Sequence, residues 1–337
     1  MGGLARKATI IDNLRAEGFD VLILDAGNLL FKKETIGPGT PTETGKMTAE
    51  IIVNAYNQIG CHSFSPGSKD FAAGLAFVKE MQMLAKFPFI SANIHDSNGN
   101  RLFDPYLIEV VEGISIGIIG LASSFIHSDV YIQDPMEALE EIVNEVDSQS
   151  DILILMFDSV EADHSKLQAS GYPIDLVIRS KSKTRSRDGG NKDIPAYSCG
   201  DRGKYLYQFD ITVSDPHKNY IDLAVYENQI SRAEKQLNKM KQGSPVINLR
   251  NLYKDDPQSL KQIETYESQI ESAKSAMQGN QNIIRMRQHE LSKTVTDRPD
   301  VLQIVEAGKS KIVQVHGPQP APGTPPGKDQ KHIGHDH

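Results

Sequence analysis

No apolar run in these 337 residues approaches the ~20 positions that a membrane-spanning helix needs. The opening Met1-Gly2-Gly3-Leu4-Ala5-Arg6 has no apolar stretch behind a basic start, so no secretory signal is visible. Cysteine is scarce. Cys61 and Cys199 are the only two, and neither lies in a CxxC or CxxCH. That excludes a zinc ribbon and c-type haem attachment, and leaves two distant thiols that say little about redox compartment. Basic residues are in deficit, 36 Lys and Arg against 44 Asp and Glu, for a formal charge of -8. A nucleic-acid binder needs a basic face, so this balance argues against one. There is no Gly-x-Ser-x-Gly turn, no Walker lysine motif and no glycine-rich strand-to-helix turn for a dinucleotide. What is present, 39% hydrophobic residues over this length, suits one large domain with an appendage, or two domains.

Residues 1–215 read as alternating helix and strand. Leu4, Ala8, Ile11 and Leu14 recur at helical spacing up to Gly18. Apolar strands follow at 21–24, 151–156 and 174–178, and a hairpin-like pair turns around Glu112-Gly113. Residues 31–46, rich in Gly, Pro and Thr, read as a loop before a helix over 47–59. Strands apolar throughout and separated by helices predict a sheet covered on both faces. Near Tyr226 the character changes. Ile230, Ala233, Leu237 and Met240, then Ile263, Tyr266, Ile270, Ala273 and Met277, recur at 3-4 spacing among charged and amide residues. This predicts a coiled-coil hairpin or dimerisation arm, with a third helix over 280–293 and a short one after Asp297, the expected N-cap before Pro299. The helical region is placed at 226–312. Residues 317–337, dominated by Pro and Gly and carrying His332, His335 and His337, read as a disordered tail. The remaining histidines show no zinc-type spacing.

Several segments resemble, in order, the 5′-nucleotidase/UDP-sugar hydrolase branch of the calcineurin-like metallophosphoesterases. Gly2-Gly3-Leu4-Ala5-Arg6 resembles its GGLAR helix, and Leu24-Asp25-Ala26-Gly27-Asn28 its LDAGD strand end. Pro66-Gly67-Ser68-Lys69-Asp70-Phe71 stands where the family reads Gly-Asn-His-Glu-Phe. Phe89 to Asn93, Ile116 to Leu121 and Gly200 to Tyr205 resemble further framework segments, and Ile178 to Thr184 stands in place of Gly-Gly-His-Ser-His-Thr. The resemblance implies a four-layer α/β metallophosphoesterase-like sandwich over residues 1–215, lacking the opening Asp-x-His strand, followed by an α-helical coiled-coil hairpin. It also implies a periplasmic or extracellular setting.

The departures decide the expected function. Family enzymes hold two divalent cations that polarise phosphate and generate hydroxide. The bridging aspartate is Asn28 here. Ser68 and Lys69 replace an Asn and a His, Asp158 replaces a His, and Lys181 and Lys183 replace two more. With Asp25, these are the degenerate metal-site positions. An ammonium has no lone pair to give, and each one about 4 Å from a divalent cation costs on the order of 8 kcal/mol at an effective dielectric near 20. No metal, cofactor or catalytic residue is therefore expected. Arg179, Lys181, Lys183, Arg185 and Arg187 alternate, so in an extended segment they would share one side. Lys69, Arg179, Lys181 and Lys183 are the candidate anion site, against the plainer reading of a solvated loop. The expected function is a non-catalytic binding or assembly module, with a protein partner or self-association through residues 226–293. The alternatives are a residual metal-dependent phosphoesterase using Asp25, Asn28 and Asp158, or a piece of a larger exported protein.

Overall fold

The structure, a computed structural model, describes residues 3–187, 189, 194–215, 220–241, 248–279 and 282–317. The proposed tail, with its three histidines, lies outside the described residues beyond Gly317. Helix α1 (Leu4–Ala16) buries Ala5, Ala8 and Ile11, then strand β1 (Leu24–Asp25) follows. Helix α2 (Thr40–Ile59) starts seven residues ahead of the expected Met47, because Pro41 sits in its first turn, where a missing N–H costs nothing. Strand β2 (Ser63–Phe64), a 3-10 turn (Ser68–Phe71) and helix α3 (Leu75–Leu84) come next. Then follow β3 (Ile94–Asp96), β4 (Tyr106–Val111), β5 (Ile114–Ala122) and β6 (Val130–Ile132). Helix α4 (Pro135–Asp147) is capped by Asp134, whose carboxylate accepts from the Met136 and Glu137 N–H groups. It leads to β7 (Ile152–Asp158), α5 (Glu161–Gln168), β8 (Leu176–Ser180), β9 (Ala196–Ser198) and β10 (Tyr205–Thr212). The chain closes with β11 (Ile221–Asp222), α6 (Leu223–Met240), α7 (Leu249–Leu252), α8 (Pro257–Gly279), β12 (Ile283–Glu290) and α9 (Pro299–His316).

Four layers emerge from side-chain alternation. The largest sheet runs β4-β5-β7-β8-β9, with only β4 antiparallel to its neighbour. Every residue of β7 is buried. Leu153, Leu155 and Phe157 face one way, onto Leu139, Ile142 and Val146 of α4 and Leu167 of α5. Ile152, Ile154 and Met156 face the other, onto Ala26, Ile90 and Tyr197 and onto Ile284 of β12. That second face meets a layer built from β1-β2 and the sheet β10-β12-β11. Beyond it lie α1, α2 and α3, joined by Val301 of α9.

Two helical expectations need correction. The stretch read as a helix over 280–293 contains β12, paired antiparallel with β10 from Thr212↔Ile283 to Tyr205↔Glu290. Residues 226–312, read as one helical region, are thus not helical throughout. Helices α6 and α8 form an insertion between two paired strands. Its ends meet at buried Asn282, whose side chain accepts from the Ser214 and Asp215 N–H groups. Asp222 pins the base of α6, with Oδ1 accepting from Ala224 N–H and Oδ2 from the hydroxyl of buried Tyr197. The last helix is also longer than expected. It has 18 residues, is capped at Arg298 rather than at Asp297, and packs Val305 and Ile312 against Ile51 of α2. Arg298 fastens it, donating to both Asp12 oxygens at 3.0 Å and to the Gln58 carbonyl at 2.7 Å.

Candidate functional site

In parallel sheets the carboxyl ends of the strands and the loops after them gather on one edge, the usual place for a site. Here β1, β2, β7 and β8 deliver Asn28, the turn 67–71, Asp158 and Ser180-Lys181 to one cluster. Asp158 is fully buried. Its Oδ1 accepts from Asn28 Nδ2 at 2.5 Å and from the Ser180 hydroxyl at 3.0 Å. Its Oδ2 accepts from the Ser68 backbone N–H at 2.8 Å. Asn28 Oδ1 accepts the next amide, Lys69 N–H, at 2.9 Å. The donors at the head of the 3-10 turn are therefore met by side chains of the protein itself. Gly67 makes this approach possible, since a Cβ there would lie 2.7 Å from Asp158 Cγ. Asn28 and Lys181 both have left-handed backbones (φ 58 and 67), and non-glycine residues held there mark a site whose surroundings over-determine it.

Lys181 closes the cluster. Its ammonium donates to Ser68 Oγ at 3.1 Å and pairs with Glu34 at 3.3 Å. The Ser68 hydroxyl donates to Glu34 at 2.8 Å. That bond and the Lys181 charge hold the Glu34 carboxyl below its usual range, against its partial burial. Arg179 turns to Ser159 Oγ at 2.9 Å and to Glu161 at 3.2 Å. Lys183 is exposed, and no hydrogen bond or ion pair among the described residues ties it to Asn28, Ser68 or Asp158. Arg185 stacks over the Tyr205 ring. The alternating cations thus diverge, because the positive φ at Lys181 breaks the extended chain on which alternation depends.

Asp25 belongs to a different network. It accepts from the Tyr56 hydroxyl at 2.6 Å and from Gly27 N–H at 3.2 Å, while Lys7 donates to the Tyr56 oxygen at 2.6 Å. Burial, then the Asp25 charge, pushes the Tyr56 hydroxyl well above its ordinary value. These bonds tie α1, α2 and β1 together. Sequence reasoning missed Glu34 and Ser180 as members of the cluster, since a loop acid and a strand-end serine carry no periodic signal.

The residues present do not fit a pair of divalent cations. Among the described residues no three His, Cys, Asp or Glu side chains converge as a ligand set. Asp158 spends its oxygens on three protein donors, and an ammonium stands beside them. Asp70 is spent likewise. It is fully buried, and its two oxygens accept from the backbone N–H groups of Asn28, Leu30 and Gly67 at 2.7–2.8 Å. Burial pushes its carboxyl up to about 7 against the pull of these three bonds, with the Asp158 charge adding to the rise.

A pH dependence follows. A carboxyl whose folded value lies above its unfolded one lends stability that is full below about pH 4 and lost as pH rises through about 7. Asp175, pushed up to about 6 by burial, acts in the same direction. His62 opposes them below about pH 6.5. Burial holds it under its ordinary value, and its Nδ1 accepts from Ile23 N–H. In a His62→Gln, His289→Gln background, which removes both imidazoles that burial holds low, the stability measured in urea is expected to fall by about 4 kcal/mol from pH 5 to pH 8, Asp70 and Asp175 together. A flat or rising profile would show Asp70 ionised in the fold throughout.

No protein-family profile matches the chain. Among curated proteins, it is 33% identical over 157 residues to a 5′-nucleotidase of Vibrio cholerae, covering 43% of this chain and 27% of that protein. It is 30% identical over 167 residues to protein UshA of Salmonella pullorum, covering 45% and 29%. The chain thus spans less than a third of the length of either relative. Among solved structures, the calcineurin-like phosphoesterase YfkN of Bacillus subtilis superposes with a TM-score of 0.61 at 15% identity, over 92% of this chain and 89% of that one. Over its aligned part the chain is a homologue of UshA and the 5′-nucleotidases, built on the fold of a calcineurin-like phosphoesterase.

Proposed function

We propose that this chain is a catalytically degenerate 5′-nucleotidase-like domain that serves as a non-catalytic binding or assembly module. One observation carries the reading. Asp158, the buried carboxylate at one of the degenerate metal-site positions, is saturated by Asn28, Ser68 and Ser180, with Lys181 at Ser68. Loops that hold mobile ions and substrate in an enzyme are stitched to one another here. A platform of this kind acts by what it presents, and the inserted helices α6 and α8 are the part presented to a protein partner. Among the described residues no helix is long and apolar enough to cross a membrane. The family resemblance supports a periplasmic or extracellular setting.

The test is metal analysis of the purified protein with p-nitrophenyl phosphate and AMP turnover in added Mn²⁺. Background rates and sub-stoichiometric metal are expected. Stoichiometric metal, with turnover abolished in Asp158→Asn, would replace this reading by a residual metal-dependent phosphoesterase using Asp25, Asn28 and Asp158.

A further inference from the structure

The largest sheet ends in an open strand. Among the described residues β4 pairs with β5 on one side only. The Pro105 carbonyl accepts from Gly120 N–H, and Ser115 exchanges bonds with Asp151 rather than with β4. In the β4–β5 register this assigns the odd residues of β4 to β5, and turns the N–H and C=O groups of Tyr106, Ile108 and Val110 outward. The usual protections of such an edge, a lysine, a bulge or an internal proline, are missing from Tyr-Leu-Ile-Glu-Val-Val. Val110 is 65% exposed, and Phe19, 45% exposed, lies across a groove that Val110 also lines.

We infer that β4 is a self-association edge, on which a second copy of this chain adds its own β4 antiparallel to form one continuous ten-stranded sheet. An antiparallel edge is complementary to itself about a two-fold axis. The side chains choose where that axis falls. With the axis at Ile108, the outward groups of 106, 108 and 110 meet their counterparts in about six backbone hydrogen bonds. Tyr106 of each copy then covers Val110 of the other, and Glu109 faces Leu107. An axis at Glu109 would set two carboxylates opposite each other, and one at Leu107 would face Val110 with Asp104; both are disfavoured. A six-residue strand is about 20 Å long. An interface of that length with the flanking side chains buries roughly 1,000 Å² in total, the low end for a specific contact, so a reversible dimer is expected. This surface is separate from the helical insertion, and its association is measured independently of hydrolysis.

Sedimentation velocity on the full chain tests it. The expected result is a monomer–dimer equilibrium that shifts to dimer with concentration. Val110→Lys should be monomeric at the same concentrations, with unchanged circular dichroism and melting. Paired residues at the axis would have Cα atoms about 5.5 Å apart, within disulfide reach. Ile108→Cys should therefore form a covalent dimer on oxidation, while Glu112→Cys, at the exposed turn, should not. A wild-type chain monomeric at every concentration, a Val110→Lys protein that dimerises as before, or equal crosslinking at 108 and 112 would each overturn the inference.

Discussion

Replacing Asp158 by alanine is expected to cost about 3–5 kcal/mol of stability, and to cost the same in EDTA as in excess Mn²⁺. The carboxylate has no exposure to water and three donors aimed at it, two from side chains and the Ser68 amide. Alanine leaves all three without an acceptor in a place water does not reach, so the loss exceeds that of an ordinary hydrogen bond. Asp158→Asn keeps the shape, but its amide must turn a donor toward either Ser68 N–H or Asn28 Nδ2. It should cost less than alanine, about 2 kcal/mol. Urea midpoints of the three proteins, each with and without metal, give the answer. The metal columns matter most. A site that lives by internal bonds is indifferent to cations, whereas a Mn²⁺-dependent rise in wild-type stability that Asp158→Ala abolishes would mean that the cluster opens and binds.

The same contrast between internal bonds and long-range partners explains what could be read from the sequence. Strands β5, β7 and β8 were legible because burial on both faces writes an unbroken apolar run, and the Glu112-Gly113 turn marked the β4–β5 pair. Strand β12 was not. Ile284 and Met286 alternate with Arg285 and Arg287, a period of two, but they follow a long helical seam. The partner that makes them a strand lies about seventy residues upstream in β10. The start of α2 was missed because Gly39, Thr40 and Pro41 have loop chemistry and also make an acceptable first helical turn. In the site, Asn28, Ser68, Lys69 and Lys181 stood out as residues of the wrong type in segments otherwise kept in order. Their bonds to one another were not readable. They depend on the left-handed backbones at Asn28 and Lys181, and on Glu34, an acid in a loop with no periodicity to place it. The separation of Asp25 from the cluster was equally hidden, since it rests on Tyr56, thirty-one residues away on α2.

Gly120→Ala is expected to cost more than about 4 kcal/mol or prevent folding, although alanine itself favours a strand over glycine by about 0.5–1 kcal/mol. A Cβ at 120 would lie 2.4 Å from the Ile90 carbonyl oxygen and 2.9 Å from its carbon. Those are backbone atoms with nowhere to go. Ile90 N–H is bonded to the Phe64 carbonyl, Ser91 N–H to that of Asp104, and Ala92 N–H to that of Gly120 itself. Relief must come from parting the two central layers, which also strains Ser65, 2.8 Å from the same point and bonded through its N–H to the Asp25 carbonyl. Gly117, three residues earlier on β5 and facing the other side of the sheet, is the control. Its added methyl would meet Val146 Cγ1 and Ser150 Oγ at 2.7 Å and Leu153 Cδ1 at 3.0 Å. All three are side-chain atoms rather than backbone, so Gly117→Ala should cost only about 1–3 kcal/mol. Chemical denaturation of the pair separates the two cases. Equal losses would show that the Ile90 strand yields as easily as a side chain, and that the two layers are not held apart by their backbones.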